Sequence, residues 1–336
     1  MKSSLITALA TLLFIPLLFA AENSAPAPAS APPAATPAPD KPVLKIIPGK
    51  VIVPIDQMRR IWGELVSLDL VTRTGTFRKE STNEVMPFTV LPYAELLHHA
   101  SFGDLQDFRI GTRAIFRLHE NEPGQWTWLT YIQDEMNFLN GHKEYYYVDE
   151  IDAEKGELDC TDANFDKSYV RKKEIHIETD KDTRYWKQGQ PAKFSDIKIG
   201  DKLRTETHGI GKGEVHLCWN VFLDDESLQK FQAEQKAVES KRLLGEGSPG
   251  YVDQLDGVNL DLTLFQESAE LSHKLKPGTR VRVAPAGVDR KPTGAPVVGL
   301  VSSAKTVGPL GKVTVTLETP STAFTHGIVA RVWEIP

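Results

Sequence analysis

A glycine-led strand that occurs three times is the feature that most constrains the fold of this 336-residue chain. The copies read Gly-Thr-Arg-Ala-Ile-Phe from Gly111, Gly-Asp-Lys-Leu-Arg-Thr from Gly200 and Gly-Thr-Arg-Val-Arg-Val from Gly278. Glycine takes the positive φ of a tight turn without a Cβ penalty. In the third copy Val281 and Val283 alternate with arginines, which buries one face of a strand and leaves the other in water. The pattern predicts three small β units.

The first two copies share more than the glycine. A phenylalanine and an aspartate precede each, in Phe102-Gly-Asp104 and Phe194-Ser-Asp196, which suits a short turn with an Asp cap and an aromatic plug. An aromatic strand follows each, at 126–132 and at 215–222, and a glycine-rich hairpin loop is predicted at 209–213. Agreement in order and character indicates a duplication.

The third copy sits in a shorter unit. From the opening valine to the glycine there are 45 residues in the first unit (111 − 66), 52 in the second (200 − 148) and 26 in the third (278 − 252). At least one hairpin is therefore missing before the third glycine. We expect strands at 297–301, 312–317 and 328–333 to complete the third sheet.

Length and composition fit a multidomain globular protein. At roughly 150 residues per domain the chain predicts two or three domains, and 40% hydrophobic with 25% charged residues is ordinary for a globular protein. The predicted divisions are a signal peptide at 1–21, a Pro/Ala-rich disordered linker at 22–45, barrel repeat one at 46–143, barrel repeat two at 144–226, a connector helix at 227–245 and a divergent small β domain at 246–336.

The N-terminus predicts export to the periplasm or the extracellular space. Lys2 is followed by an apolar run to Ala21, the layout of a secretory signal peptide. An uncleaved membrane anchor is the alternative, because the run reaches the ~17 residues that can span a bilayer. Cleavage is favoured because Pro16 breaks the helix and no positive cluster follows. A membrane partner is expected only if the segment stays uncleaved.

One long helix is predicted at 227–244. Leu228, Phe231 and Val238 make a narrow apolar stripe, Asp224 or Asp225 caps the start, and Gly245 ends the helix. A narrow stripe suits a connector that lies across a domain surface. A single helical turn is also expected at 92–99.

Short alternating strands with glycine turns predict a mainly β fold of tandem small barrels, OB-like or SH3-like, with one connector helix. Gly200-Asp-Lys-Leu resembles the terminal strand of small barrels in uncharacterised secreted bacterial proteins, and the third part resembles barrel domains of periplasmic adaptor proteins. The resemblance implies a binding or assembly module of the cell envelope. It carries over no catalytic residue and no cofactor.

Two cysteines, Cys160 and Cys218, lie in predicted strands of repeat two. In an oxidising compartment they can form a disulfide that closes a loop of 57 intervening residues (218 − 160 − 1). Such a loop is worth roughly 4 kcal/mol in the chain-entropy model. Two buried free thiols are the equal alternative, because sequence does not give the geometry.

Aromatic residues are the predicted ligand-binding set. They can line a barrel groove and stack on a sugar or a peptide, with core packing as the alternative. Two of them, Trp126 and Trp128, are two residues apart and are expected on one strand face. The set is Trp126, Trp128, Tyr131, Trp219 and Phe222.

Histidines offer weaker candidates for metal ligands. One group is His98-His99 with Asp104, and another is His119-Glu120 with His142 and Glu144. Adjacent histidines on a strand point apart, so the interpretation is solvated surface and no metal site is predicted.

Acidic pairs follow both aromatic strands, as Asp134-Glu135 and as Asp224-Asp-Glu226. Paired carboxylates can hydrolyse glycosides. Their position at strand exits, which in repeat two precedes the predicted helix, favours helix capping instead.

These features predict a non-enzymatic binding or scaffolding module of the bacterial cell envelope, with an envelope protein or a glycan as partner. A net charge of −6 disfavours nucleic acid, which requires a basic stripe. No catalytic set and no cofactor are predicted. The alternatives are a hydrolase of an envelope polymer and an accessory subunit of a secretion or efflux assembly that oligomerises through the helix.

Overall fold

The computed structural model describes residues 58–209 and 215–335, so the predicted signal peptide, the linker and most of the 209–213 loop lie outside the described residues. The described part is mainly β and forms three closed small barrels in tandem, with few helices, as predicted. Within these ranges no helix is both long enough and apolar enough to span a bilayer.

Barrel one is a closed ring of five strands with one short extra strand. The ring runs β2-β1-β5-β6-β3 and closes through a β2–β3 pair. The β3–β6 pair is parallel, and the other pairs of the ring are antiparallel. The strands are β1 (Met58–Asp69), β2 (Thr74–Lys79), β3 (Val85–His98), β4 (Ser101–Phe102), β5 (Arg113–Glu122) and β6 (Gln125–Asp134), and helix α1 (Glu135–His142) follows.

Barrel two repeats this topology. Its ring runs β8-β7-β12-β13-β9 and closes through a β8–β9 pair, again with a parallel pair, β9–β13, between its third and last strands. In both rings the strands numbered along the chain run 1-2-3-5-4, the order of an OB-like barrel, which supports the duplication. The strands are β7 (Glu144–Asp152), β8 (Glu157–Asn164), β9 (Val170–Glu178), β10 (Arg184–Lys187), β11 (Gln190–Ala192), β12 (Lys202–His208) and β13 (Val215–Phe222), and helix α2 (Asp225–Glu246) follows.

Barrel three has a different order. All of its pairs are antiparallel, in the ring β14-β15-β18-β17-β16-β19. The hairpin that is missing before its glycine appears after it as β17–β18, so the predicted completing strands are confirmed. The elements are β14 (Ser248–Asp256), β15 (Asn259–Leu264), α3 (Leu271–Lys274), β16 (Arg280–Pro285), β17 (Val297–Val307), β18 (Leu310–Leu317) and β19 (Val329–Glu334).

The three glycines make the same turn. Gly111, Gly200 and Gly278 have φ of 95°, 88° and 88°, which confirms the positive φ. Each amide donates to a strand carbonyl, that of Leu65, Val148 and Val301 respectively, at 2.7, 2.7 and 2.8 Å. In the first two barrels the acceptor lies on the first strand of the ring, whereas in barrel three it lies on β17 because the strand order differs there.

The predicted helical turn at 92–99 is wrong, because β3 runs unbroken to His98. Glu95 lies opposite Tyr131 and Leu97 lies opposite Gln133 in the parallel ladder with β6. The conformation is decided by a partner strand 36 residues away in sequence (131 − 95), and not by local propensity.

The long helix is confirmed as α2, with two corrections. Asp224 caps it by accepting a hydrogen bond from the Ser227 amide, but the helix continues through Gly245 to Glu246, and Gly247 is its C-cap. Val238 is 49% exposed and does not belong to the packed face. That face instead includes the buried polar side chains of Gln235 and Glu239, which bond to barrel one and to Arg242.

Candidate functional site

An open groove of about 480 Å³ lies where barrel two meets the start of the glycine-led strand of barrel one. The two barrels join there through a bridge between Thr112 and His208 and through a hydrogen bond of 3.0 Å from the Gly209 amide to the Gly111 carbonyl. Arg109 reaches the groove from barrel one, and the 180–184 segment reaches it from barrel two. We call this cavity the Trp219 groove.

The groove exists because β13 changes partners at Trp219. Its residues 215–217 pair with β9, and its residues 220–222 pair with β10. Between these two ladders, residues 179–183 leave the sheet. On the other side of β13 the register with β12 also slips, since Thr207 faces Cys218 while Glu206 faces Asn220, so Trp219 is a bulge residue. The bulge at Trp219 and the gap between the β9 and β10 ladders together form a recess in the wall of barrel two.

The half-buried indole of Trp219 contacts two side chains. The imidazole of His208 stacks on it with centroids 4.6 Å apart and planes 7° apart. The guanidinium carbon of the exposed Arg109 lies 4.1 Å from the ring centroid. Burial lowers the pKa of His208, with a further contribution from the charge of Arg109, so the neutral imidazole is favoured.

The segment opposite Trp219 is fixed by hydrogen bonds. Asp180 Oδ1 accepts from the amides of Asp182 and Thr183, at 2.9 and 3.0 Å. The Thr183 hydroxyl donates to the Cys218 carbonyl at 2.7 Å and so satisfies a β13 acceptor at the seam. The recess is therefore formed before any ligand arrives.

Asn220 forms the buried base of the groove. Its Oδ1 accepts from Trp186 Nε1 at 2.8 Å, and its Nδ2 donates to Glu206. Burial alone would raise the pKa of Glu206, but the hydrogen bonds that it accepts from His99 and Asn220 outweigh burial and lower the pKa below its usual value. A fixed carboxylate and amide under the groove set the orientation of its polar floor.

The lining carries charges of both signs. Arg109, Lys181 and Arg184 supply cations, and Asp180 and Asp182 supply carboxylates. Guanidinium, carboxylate and amide groups offer hydrogen bonds to a ligand that has many donors and acceptors. A purely apolar ligand would leave these groups without partners.

Of the five predicted aromatic residues, Trp219 is the one that borders this groove. Trp126 packs against the core of barrel one with Arg59 4.2 Å from its ring, whereas Trp128 packs with Leu91 and Tyr251. The prediction that Trp126 and Trp128 share a face is wrong, because Glu120 faces Trp126 while His119 faces Trp128, which makes Thr127 a bulge.

The other two predicted residues lie elsewhere in the described structure. Tyr131 has Arg117 3.9 Å from its ring centroid and donates to Gln133 Oε1 at 2.9 Å. Phe222 is 1% exposed and packs with Met136 and Leu228. The predicted aromatic set is thus dispersed over several clusters and does not form a single groove.

Sequence reasoning did not identify Arg109, His208 or residues 180–184. Arg109 lies two residues before Gly111, and His208 directly precedes the predicted hairpin loop. Their positions next to predicted turns were the only signal in the sequence. The two residues come together only because barrel one packs against barrel two, which the sequence does not show.

Both cysteines are buried free thiols in the core of barrel two. Burial raises the pKa of Cys160 to about 12 and raises the pKa of Cys218 well above its usual value. Neither thiol is a reactive nucleophile at neutral pH.

The acidic pairs cap helices, as predicted. Asp134 accepts a hydrogen bond from the Asn137 amide at the start of α1, and Asp224 accepts one from the Ser227 amide at the start of α2. Glu135 is 1% exposed and accepts from Arg113, Tyr146 and the Thr207 amide, at 2.7, 2.6 and 3.0 Å. Its position in a closed network does not favour a role in glycoside hydrolysis.

The interpretation of the histidines as solvated surface is wrong for His98 and His119, which are 5% and 1% exposed. The acidic residue that groups with His98 and His99 is Asp134 and not the predicted Asp104. One ligand atom from each of these three side chains lies within 4.8 Å of the other two. In the described ranges a second group, Glu157, His176 and Glu178, is half-buried on β8 and β9.

No protein-family model matches the chain, and no curated protein matches it. The geometry of the Trp219 groove is therefore the principal basis for a functional proposal.

Proposed function

We propose that this protein is a non-enzymatic binding module of the bacterial cell envelope that holds a glycan in the Trp219 groove. The observation that carries the proposal is a preformed polar recess with one indole at its wall. The export signal predicted at 1–21 and the resemblance to small barrels of secreted proteins support a location in the envelope.

A sugar fits the chemistry of the groove. Its hydroxyl groups both donate and accept, which matches the carboxylates, the amide and the guanidinium groups that line the groove. Its apolar ring face can stack on an indole. His208 stacks on Trp219, and the exposed Arg109 is the group over the indole that a sugar ring would replace. An exposed cation–π contact is worth about 0.5–1 kcal/mol, so the exchange is not costly.

The test is retention of the purified protein on insoluble envelope glycan, with soluble fragments of the same glycan as competitors. We expect wild type to be retained and to be released by the fragments, and Trp219→Ala to lose retention. Tyr169→Ala is the matched control, because this aromatic side chain is 51% exposed on barrel two but does not line the groove. It is expected to bind as wild type does.

Undiminished retention of a folded Trp219→Ala variant would contradict the glycan site. Competition by envelope peptides and not by sugars would assign the groove to a protein partner instead. Wild type, Trp219→Ala and Tyr169→Ala are sufficient to distinguish these outcomes.

The two alternatives have weaker support. The hydrolase requires free carboxylates, but Asp225 is bonded to Arg204 and Tyr145, and Glu135 is buried. The assembly subunit requires a free helix, whereas α2 bonds to barrel one through Gln232 and Gln235.

A further inference from the structure

The turn that joins β3 to β4 has an unusual backbone. His98 pairs with Ser101, so His99 and Ala100 are the two central residues of a hairpin turn. Both have positive φ, 48° and 60°, the conformation of a type I′ turn that normally selects glycine or asparagine. Neither residue is of that type, and such strain, of the order of 1–3 kcal/mol per residue, concentrates at functional sites.

The strained turn brings two adjacent imidazoles together. On a regular strand the side chains of His98 and His99 would point to opposite faces. Here the rings stack with centroids 3.7 Å apart and planes 29° apart. Phe108 contacts the ring of His98, and Phe231 contacts that of His99, with centroids 5.1 and 5.7 Å apart. The pair therefore lies against apolar walls.

One nitrogen of each ring is fixed by an acceptor. His98 Nδ1 lies 3.1 Å from Gln235 Oε1, and His99 Nε2 lies 3.2 Å from Glu206 Oε1. Gln235 Nε2 donates to the Phe102 carbonyl, which fixes the amide with its oxygen toward His98. Both contacts require a protonated ring nitrogen, so neutral rings present His98 Nε2 and His99 Nδ1 as lone-pair donors. Metal-binding histidines are oriented by contacts of this type.

Asp134 supplies a third ligand. Its carboxylate is buried, and its two oxygens accept from the amides of His99 and Asn137, both at 2.7 Å. Each oxygen keeps a second lone pair. One ligand atom from each of His98, His99 and Asp134 lies within 4.8 Å of the other two. Ligand atoms around a tetrahedral zinc ion are about 3.3–3.5 Å apart, so side-chain rotations bring the three groups to this spacing when the ion binds.

We infer that His98, His99 and Asp134 bind a divalent transition-metal ion, with zinc as the best match to two nitrogens and one carboxylate oxygen. Gln235 and Glu206 are positioning residues that orient the two imidazoles. The fourth ligand is a water, which enters beside His99, the more exposed of the two rings. The ion ties the β3–β4 turn to α1 and, through the positioning residues, to α2 and barrel two.

The group of Glu157, His176 and Glu178 is a useful contrast. It is half-buried on the outer surface, and His176 Nδ1 is paired with Asp159 at 2.7 Å. It lacks the buried carboxylate and the strained turn of the His98 site. It is therefore the matched control for nonspecific binding to surface ligands.

The test is a titration of chelator-treated protein with Co²⁺, followed by its visible absorption and by competition with Zn²⁺. We expect one ion per chain with a dissociation constant in the micromolar range or below, and a higher Tm with Zn²⁺. His98→Gln and Asp134→Asn are expected to bind at least about 100-fold more weakly, and Gln235→Leu about 10-fold more weakly. His176→Gln is expected to bind as wild type does.

Asparagine at 134 can still cap α1 through its Oδ1, but it loses the acceptor for the His99 amide. The Tm of the metal-free variant is therefore compared with that of metal-free wild type, which separates an effect on folding from loss of the ligand. If His98→Gln does not fold, His99→Gln at the more exposed ring replaces it. Absence of stoichiometric binding to folded wild type, or loss of binding in His176→Gln with retention in Asp134→Asn, would overturn the assignment. The result is independent of glycan binding in the Trp219 groove.

Discussion

The indole of Trp219 and the imidazole of His208 lie nearly parallel, with ring centroids 4.6 Å and planes 7° apart. A charge on His208 therefore changes the surroundings of the indole. Because burial lowers the pKa of His208, we expect the Trp219 fluorescence to titrate with a midpoint below 6.5. The measurement is emission against pH in wild type and His208→Gln. The acid transition should disappear in the variant, and its persistence would show that another group causes it.

The positive φ of Gly200 predicts a purely backbone effect of substitution. A Cβ at Gly200 would meet no atom within 4 Å, but φ is 88°. We expect Gly200→Ala to lower the free energy of unfolding by about 1–2 kcal/mol. The matched control is Gly245→Ala in α2, where a Cβ is also uncrowded and alanine should stabilise by about 0.5–1 kcal/mol. Equal effects of the two variants in denaturant titrations would contradict the turn assignment.

Glu135 is expected to be a structural residue. Glu135→Ala removes a carboxylate that accepts from Tyr146 and Thr207 and weakens the charge compensation of the buried Arg113. We expect a loss of about 3–5 kcal/mol in the free energy of unfolding. The control is Glu84→Ala. Glu84 pairs with Lys79 but its side chain is 60% exposed, so we expect a loss of only about 0–1 kcal/mol in the free energy of unfolding. A Glu135→Ala variant as stable as wild type would show that the network is not needed.

Asp162 predicts a pH dependence of stability. Burial, with the charge of Glu144, raises its pKa to about 7 from 3.8. Between these values the folded state binds more protons than the unfolded state, so the free energy of unfolding falls as pH rises from about 4 to about 7. Asp162→Asn should remove on the order of 1–2 kcal/mol of this fall, after allowance for solvent screening. Identical pH profiles of wild type and variant would contradict the raised pKa.

The burial of Cys160 and Cys218 predicts slow thiol chemistry. Their raised pKa values suppress the thiolate, so neither should react with a thiol reagent in the native state, and both should react after unfolding. Rapid reaction of the native protein would contradict the burial. The thiols are also counted after unfolding in protein isolated from an oxidising compartment. If no free thiol is found, Cys160 and Cys218 form the predicted disulfide instead.

Local sequence predicted the glycine turns, the strands of the third barrel and α2, because a positive φ, alternation and caps are properties of a few consecutive residues. It did not predict β3 at 92–98, which depends on the parallel ladder with β6. The bulge at Thr127 also requires two strands, and it reversed the expected faces of Trp126 and Trp128.

The sites were harder to predict than the fold. Arg109 and Trp219 are 110 residues apart in sequence (219 − 109) and meet only where the two barrels join. The stacking of His98 on His99 depends on a turn type that neither residue favours, so alternation gave the opposite answer. Both sites arise from departures from regular strand geometry.

The most direct test of the central claim is the dissociation constant of a soluble envelope glycan fragment for wild type and Trp219→Ala, measured by calorimetry. The glycan proposal predicts at least 10-fold weaker binding by the variant, about 1.4 kcal/mol. Equal dissociation constants, with both proteins folded, would contradict it.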